Sequence, residues 1–230
     1  VERKLVFIVT GASKGLGKAI CTRLIENNIQ VLGLARDTSN LSFESINCDV
    51  SSADEVRSVA KLIRKQKYNV EAVINAAGIA SMNLALTTPS AIAEKIVQTN
   101  LLGTIYCCQN FAPFLIRNKK GTIINFSTIA VSLGLKGESI YIASKAGVEG
   151  FSRAFAREMA DFNISVNCIA PGPIKTDLIK GVSKKQIEKI ISNQIFQKQF
   201  TPDNVCDLVE ILISNRAKTL SGQVFHVGGA

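Results

Sequence analysis

The sequence LVFIVTGASKGLG, at residues 5–17, decides how this chain folds. The apolar residues at its start predict a buried strand, and the apolar spacing that follows predicts a helix over residues 15–26. Gly11 lets the chain turn sharply, Gly15 lets the backbone approach a diphosphate, and Gly17 lets the helix pack against the sheet. The free N–H groups and the positive dipole end at the start of that helix favour an anion. Strand, turn and helix together predict a binding site for the phosphates of a dinucleotide.

Short apolar runs alternate with longer amphipathic stretches along the rest of the chain. Further strands are predicted over residues 30–34, 45–48, 72–75, 122–126, 165–169 and 223–227, and further helices over residues 52–65, 91–114, 139–161 and 205–213. Strands that are nearly all apolar argue for a parallel sheet covered on both faces. We therefore predict one α/β domain over residues 1–230, a doubly wound Rossmann fold with a mostly parallel seven-stranded sheet and helices on both faces. Residues 178–200 are expected to form a substrate lid.

Charge and hydropathy restrict the possible partners. The 230 residues include 27 Lys and Arg against 18 Asp and Glu, a formal net charge of +9. The basic residues are scattered and no basic stripe carries interleaved aromatic residues, so we expect no nucleic-acid partner. No apolar run approaches the roughly 18 residues that a membrane span requires, so we expect no membrane partner. Residues 1–10 are too short an apolar stretch for a secretory signal. The expected compartment is the cytoplasm, or an organelle reached by a targeting peptide outside this sequence.

Histidine and cysteine usage argues against several kinds of site. His226 is the single histidine, which disfavours a zinc site built on several histidines and a Ser-His-Asp hydrolase. The cysteines show no CxxC pair and no metal spacing, and most lie in apolar stretches. We expect no metal site, and we expect buried reduced thiols at Cys21, Cys48, Cys107, Cys108, Cys168 and Cys206.

Four further motifs follow the glycine-rich turn in order. They are Asp49-Val50, the NAAG sequence at residues 75–78, the YxxxK sequence at residues 141–145, and Pro171-Gly172 with Thr176. With these motifs, the TGxxxGxG spacing of the turn resembles the short-chain dehydrogenase/reductase family over nearly the whole chain. The resemblance implies an oxidoreductase that transfers a hydride between a nicotinamide and a ketone or secondary alcohol. It implies cofactor contacts at Gly11, Ser13, Lys14, Gly15, Leu16, Gly17, Arg36, Asp49, Val50, Asn75, Ala76, Gly78, Tyr141, Lys145, Pro171, Gly172, Ile174 and Thr176.

The end of the second predicted strand bears on the choice between NADP(H) and NAD(H). A count of about 20 residues from Gly17 reaches Asp37, which on its own would indicate NAD(H). However, the strand ends at Ala35, where family members that use NAD usually carry Asp, and Arg36 follows at once. Lys14 is the second basic position that the family associates with NADP. Because a guanidinium grips a phosphate with two hydrogen bonds and an ammonium adds a point charge, we predict NADP(H), with NAD(H) as the alternative.

The predicted catalytic residues are Tyr141, Lys145, Thr128 and Asn100. Tyr141 and Lys145 are four residues apart in a helical stretch, so their side chains lie on one face. A nearby ammonium is expected to lower the pKa of the tyrosine, which then exchanges a proton with the substrate oxygen. The family's catalytic serine corresponds to Thr128, which keeps the hydroxyl, while Ser127 would serve if the register slipped by one residue. The resemblance gives Asn100 the task of positioning a water near the lysine.

The substrate-facing segments are fairly apolar, at residues 79–84, 129–134 and 178–200. Chains of this size resemble 3-oxoacyl carrier-protein reductases, and the basic cluster at residues 180–189 suits an acidic carrier partner. Phe162 lies near where such reductases carry a basic docking residue, which is a departure from the pattern. We therefore predict a small-molecule or carrier-linked carbonyl substrate. Another ketone, a sugar or a polyol stays open, as does a regulatory protein that binds NADP without catalysis. The long helices resemble those that build family homo-tetramers, with a homo-dimer second.

Overall fold

The computed structural model describes residues 4–175 and 184–229, which form a seven-stranded sheet with every described pairing parallel. The strand order is β3-β2-β1-β4-β5-β6-β7, so the winding reverses between β1 and β4. The strands are β1 Leu5–Thr10, β2 Val31–Ala35, β3 Ser45–Asn47, β4 Asn69–Asn75, β5 Gly121–Phe126, β6 Ile164–Pro171 and β7 Val224–Val227. The doubly wound fold predicted from the sequence is confirmed, with a sheet that is wholly rather than mostly parallel.

Helices cover both faces of this sheet. They are α1 Gly15–Glu26, α2 Ala53–Lys65, α3 Ser90–Val97, α4 Gly103–Asn118, α5 Ala130–Leu133, α6 Ser139–Ala160, α7 Lys184–Ser192 and α8 Pro202–Ile213. Residues of α2, α4 and α6 enter one buried apolar cluster, and residues of α1 and α8 enter a second. Within β1, Val6 and Ile8 face the first cluster while Phe7 and Val9 face the second. Side chains alternate between faces along a strand, which is why a doubly covered strand is apolar throughout.

The predicted helix over residues 91–114 is interrupted in the structure. Between α3 and α4 lies a π-helical segment, Gln98–Leu102, which holds Asn100 at 0% exposure. Such segments add one residue to a helical turn and are frequent at functional sites. The sequence analysis also missed the short helix α5, whose four residues are too few to show a helical period.

Two further observations concern the described residues. Within residues 4–175 and 184–229, no helix is long and apolar enough to cross a membrane. In the same part of the chain, no group of three or more His, Cys, Asp or Glu side chains is arranged to hold a metal ion.

Candidate active site

A cleft of about 400 Å³ lies at the carboxyl ends of β1, β2, β4, β5 and β6. This position, beside the reversal of winding between β1 and β4, is where open α/β sheets bind their ligands. Most of the predicted site residues line it: Gly11, Ser13, Lys14, Gly15, Leu16, Arg36, Asp49, Val50, Ala76, Gly78, Thr128, Tyr141, Lys145, Pro171, Gly172 and Ile174. The chain therefore brings motifs that are far apart in sequence into one cavity.

The glycine-rich turn has a geometry that only glycine satisfies. Gly11 has φ +70°, and a Cβ there would lie 2.9 Å from the backbone of Ala77. A Cβ at Gly17 would lie 2.3 Å from the carbonyl oxygen of Gly11, so the first turn of α1 packs directly on the loop. The backbone is thus bare where a diphosphate would approach the N-terminus of α1, and the residues present fit a dinucleotide.

Arg36 and Lys14 are exposed at the rim of the cleft, and both line it. Ala35 ends β2 and also lines the cleft. The carboxylate of Asp37 is instead used by its own loop, where it accepts hydrogen bonds from the backbone N–H (2.9 Å) and the hydroxyl (2.7 Å) of Ser39. Asp37 does not line the cleft, whereas Arg36 and Lys14 do.

Asp49 lies on the wall of the cleft near Arg36. Burial acts to raise the pKa of the Asp49 carboxyl, but hydrogen bonds from Ser51 and the charges of Arg36 and Lys95 outweigh it. The pKa therefore ends below its ordinary value, and the group stays ionised. The Ser51 hydroxyl donates to it at 2.7 Å, which fixes the carboxylate in place.

Tyr141 is buried near the start of α6, and its pKa is raised and not lowered. Burial is the main cause, and the charge of Glu138 adds to it, while the Thr128 side chain acts in the opposite direction. The expected lowering of the Tyr141 pKa by Lys145 is therefore wrong for these residues by themselves. Lys145 directs its ammonium elsewhere: Nζ donates to the carbonyl oxygen of Phe126 at 2.7 Å. Burial lowers the pKa of Lys145 to about 8.

Thr128 and Ser127 have separate environments at the end of β5. Thr128 is half-buried, lines the cleft and acts on the pKa of Tyr141. The Ser127 hydroxyl is turned to α6, where it donates to Glu149 Oε1 at 2.6 Å. Thr128 is thus the residue with its hydroxyl at the tyrosine, and Ser127 is tied into the packing of α6 against the sheet.

The Asn100 side chain hydrogen-bonds both Ile79 and Ser144, and so links two segments of the site. Its Oδ1 accepts from the Ile79 N–H at 2.8 Å, and its Nδ2 donates to the Ile79 carbonyl at 2.9 Å and to Ser144 Oγ at 3.1 Å. A Cβ on Gly78 would lie 3.3 Å from Asn100 Oδ1 and 3.4 Å from Lys145 Nζ, so the amide and the ammonium flank the same glycine. Asn100 itself does not line the cleft.

Two further predicted cofactor residues, Asn75 and Gly17, do not line the cleft either. The amide of Asn75 is 2% exposed and donates to Asn125 Oδ1 at 2.8 Å, so it ties β4 to β5 inside the sheet. Gly17 acts through packing, as described above. Thr176 lies outside the described residues, as do residues 178–183 of the predicted lid.

The sequence analysis missed Glu138, which lines the cleft. Glu138 is 7% exposed at the N-terminus of α6. Its position three residues before Tyr141 was the one available signal, since residues three apart share a helix face. Ile187 and Ile190 lie on α7, inside the predicted segment 178–200, and also line the cleft.

Known proteins resemble this chain in sequence and in fold. A sequence model of the family described as short chain dehydrogenase matches residues 5–187. The 3-oxoacyl-[acyl-carrier-protein] reductase FabG of Staphylococcus epidermidis is 33% identical over 236 residues, which cover 96% of each chain. The ligand-free aldohexose dehydrogenase of Thermoplasma acidophilum has a TM-score of 0.88 at 30% identity, covering 99% of this chain and 94% of its own. A 4-hydroxyisoleucine dehydrogenase complexed with NADH has a TM-score of 0.90 at 26% identity, covering 99% and 98%. This chain therefore belongs to the short-chain dehydrogenase/reductase family of oxidoreductases.

Proposed function

We propose that the protein is an NADP(H)-dependent oxidoreductase that interconverts a ketone and a secondary alcohol, with Tyr141 as general acid and base. The observation that carries the proposal is that Thr128, Tyr141 and Lys145 line the same cleft as the glycine-rich turn. A bound nicotinamide supplies the hydride to the carbonyl carbon. Tyr141 supplies the proton to the carbonyl oxygen, which the Thr128 hydroxyl holds by a hydrogen bond.

The raised pKa of Tyr141 suits the reducing direction. A phenol that keeps its proton is ready to donate it to a carbonyl oxygen, and burial and the Glu138 charge both favour the protonated form. Lys145 holds its ammonium between the Phe126 carbonyl and Gly78, where we place the ribose of the nicotinamide. Asn100 keeps Ile79 and the start of the following loop in position beneath it.

Replacement of Tyr141 tests the mechanism. Tyr141→Phe removes the transferable proton and leaves the ring, so we expect turnover to fall at least a thousandfold while NADPH still binds. Tyr106→Phe is the matched control, because Tyr106 lies on α4 and does not line the cleft. Among the described residues, its hydroxyl accepts one 3.5 Å contact, from Gln98. Full activity of the Tyr141→Phe protein contradicts the mechanism.

The preference for NADP(H) over NAD(H) rests on Arg36 and Lys14 at the rim and on the engagement of Asp37 by Ser39. A ratio of kcat/KM for NADPH over NADH well above one is the expected result. Arg36→Ala lowers kcat/KM for NADPH at least tenfold and leaves that for NADH nearly unchanged. Lys18→Ala removes an equal charge from an exposed position of α1 outside the cleft and serves as control. A preference for NADH in the unaltered protein overturns this part of the proposal.

For the substrate we propose a 3-oxoacyl group linked to an acidic carrier protein. The relatives named 3-oxoacyl-[acyl-carrier-protein] reductase support this, as does the apolar lining by Ile79, Met82 and Ile187. Lys184 and Lys185 are exposed on α7 beside the cleft and add positive charge there. Consumption of NADPH with acetoacetyl-carrier protein, compared with a panel of small ketones and sugars, tests it. Preference for a sugar or another ketone refutes the carrier-linked substrate while leaving the reaction intact.

We further propose a homo-tetramer, with a homo-dimer as the second arrangement. Ala143, Gly150 and Ala154 are exposed small residues along α6, which allow a second helix to approach closely. Light scattering on a sizing column measures the mass directly, and a monomer at micromolar concentration excludes both assemblies.

For the compartment we propose the cytoplasm. The cysteines of the chain are all free and buried, which suits a reducing cytoplasm.

A further inference from the structure

Glu138 places a carboxyl group inside the substrate half of the cleft. It is 7% exposed, it precedes α6 by one residue, and it lines the same wall as Tyr141, three residues later. Among the described residues, none gives its carboxylate a hydrogen bond or an ion pair. Glu149, the other buried acid of this helix, is by contrast held by the Ser127 hydroxyl and lies 3.7 Å from Arg153.

The rest of that half of the cleft is apolar or uncharged in the part of the chain that the structure describes. Leu135, Met82 and Pro173 line it, and α7 contributes Ile187 and Ile190. A charge on Glu138 therefore acts across a cavity with little to screen it, where electrostatic interactions are stronger than in water.

In the part of the chain that the structure describes, the cationic side chains that line the cleft are hydrogen-bonded elsewhere or lie at its other end, and Lys184 and Lys185 of α7 are exposed and do not line it. Lys145 is seven residues further along α6 and donates to the Phe126 carbonyl. Lys14 and Arg36 lie at the adenosine end, with the glycine-rich turn and β2. Lys136 is exposed in the turn before α6 and does not line the cleft.

We propose that Glu138 is a specificity-determining residue that excludes free carboxylates, so that 3-oxo acids are reduced as neutral thioesters or esters and not as free acids. In a free 3-oxo acid the carboxylate is two bonds from the reacting carbon. With the ketone oxygen at Tyr141, that negative charge must enter the same small cavity as Glu138. Like charges brought together without a counter-ion are strongly unfavourable, whereas a thioester carbonyl carries no charge. This inference rests on the proposed function, because it names the form in which that substrate is accepted.

The exclusion depends on pH in a defined direction. Burial raises the pKa of Glu138, and a protonated Glu138 does not repel an anion. Selectivity for ester over free acid therefore increases as pH rises through that pKa. The groups that face Glu138 do not mask the change: Tyr141 keeps its proton in this range, and the pKa of Lys145 is about 8. His226 hydrogen-bonds Ser132 and does not line the cleft.

The test compares two pairs of substrates, each a carboxylate and its uncharged ester: acetoacetate with ethyl acetoacetate, and 3-oxocyclohexanecarboxylate with its methyl ester. The ester also carries an added alkyl group, so each pair is compared between the parent and the variant. The measured quantity is kcat/KM for the ester divided by kcat/KM for the acid. We expect Glu138→Gln to lower this ratio about tenfold by improving turnover of the acid. Glu26→Gln removes a carboxylate from the exposed end of α1 and leaves the ratio unchanged. A general loss of structure lowers kcat/KM for the ester and for the acid alike and leaves their ratio unchanged.

A second measurement needs no variant. In the unaltered enzyme the ratio rises with pH as Glu138 loses its proton, and burial places that change above the ordinary pKa of a glutamate. An unchanged ratio in Glu138→Gln, or no pH dependence in the unaltered enzyme, overturns the role of Glu138. If only the cyclohexane pair is reduced, the 3-oxoacyl substrate is wrong and Glu138 is still tested by that pair. If neither pair is reduced, both proposals fail.

Discussion

Replacement of Asn100 by alanine removes three hydrogen bonds at once, and the structure allows the cost to be worked out. Asn100 is 0% exposed and bonds both backbone groups of Ile79 and the hydroxyl of Ser144. A hydrogen bond of this kind contributes about 1 kcal/mol net, so the loss is about 3 kcal/mol in the free energy of unfolding. Ile79 is half-buried, so water reaches its freed N–H and C=O and keeps the loss near this value. For a domain of this size that corresponds to a fall of roughly 6–12 °C in Tm.

Thermal unfolding followed by circular dichroism, at equal protein concentrations, measures this fall. Asn110→Ala is the matched control, because the Asn110 amide donates only to the Tyr106 carbonyl of its own helix, and we expect a loss below about 1 kcal/mol. Asn100→Asp keeps the acceptor for the Ile79 N–H and loses both donated hydrogen bonds. Its Tm should therefore lie between the Tm values of Asn100→Ala and Asn110→Ala. We also expect kcat to drop in Asn100→Ala, because the loop from Gly78 to Ile79 forms a wall of the cleft. An Asn100→Ala protein within about 1 kcal/mol of the parent, with unchanged kcat, refutes this reasoning.

Three further predictions follow from burial and charge. The charge of Glu138 raises the pKa of Tyr141, so Glu138→Gln should lower that pKa. The increase of the alcohol-oxidation rate with pH should then begin at a lower pH in the variant than in the parent, and identical pH–rate profiles contradict this. Burial lowers the pKa of Lys145 from 10.5 to about 8. Between these two pH values the unfolded chain binds more protons at this residue than the folded chain does. The contribution of Lys145 to the free energy of unfolding therefore increases as pH rises from about 8 to 10.5. The stability of the parent relative to Lys145→Met, measured by urea unfolding, should therefore increase across that range, and a flat difference excludes it. Phe111→Ala empties a site of 0% exposure and should cost about 3–5 kcal/mol in urea unfolding, whereas a cost below about 1 kcal/mol contradicts the packing.

The strands and most helices could be predicted because their signals are local. A strand such as β1 is apolar from Leu5 to Val9 since both faces of the sheet are covered, and its end is marked by Gly11. The π-helical segment Gln98–Leu102 has no such local signal in the sequence. An extra residue in one turn shifts the apolar pattern by less than the width of the buried face, so the stretch predicts a continuous helix. Asn100 was identified through its motif, but its bonds to Ile79 depend on that turn.

The Tyr141 pKa was predicted in the wrong direction for a related reason. Helical spacing correctly puts Tyr141 and Lys145 on one face, and an ammonium at that spacing would lower the pKa of a phenol. The spacing contains no information on how deeply the pair is buried or on which acceptor takes the ammonium. Here the Phe126 carbonyl at the end of β5 takes it, and burial governs the pKa of both side chains.

Glu138 shows how the same residue type has different consequences at a surface and in a cleft. At the start of an exposed helix, a glutamate stabilises the positive dipole end and needs no further explanation. Glu138 holds that position but makes no side-chain cap to the backbone of α6. Burial favours its neutral form and raises its pKa. A carboxyl with a raised pKa changes charge at a higher pH than an exposed one, and this one does so beside Tyr141. The selectivity of the cleft for uncharged substrates is therefore expected to be strongest above the Glu138 pKa, in the same pH range in which Tyr141 still holds the proton that reduction requires.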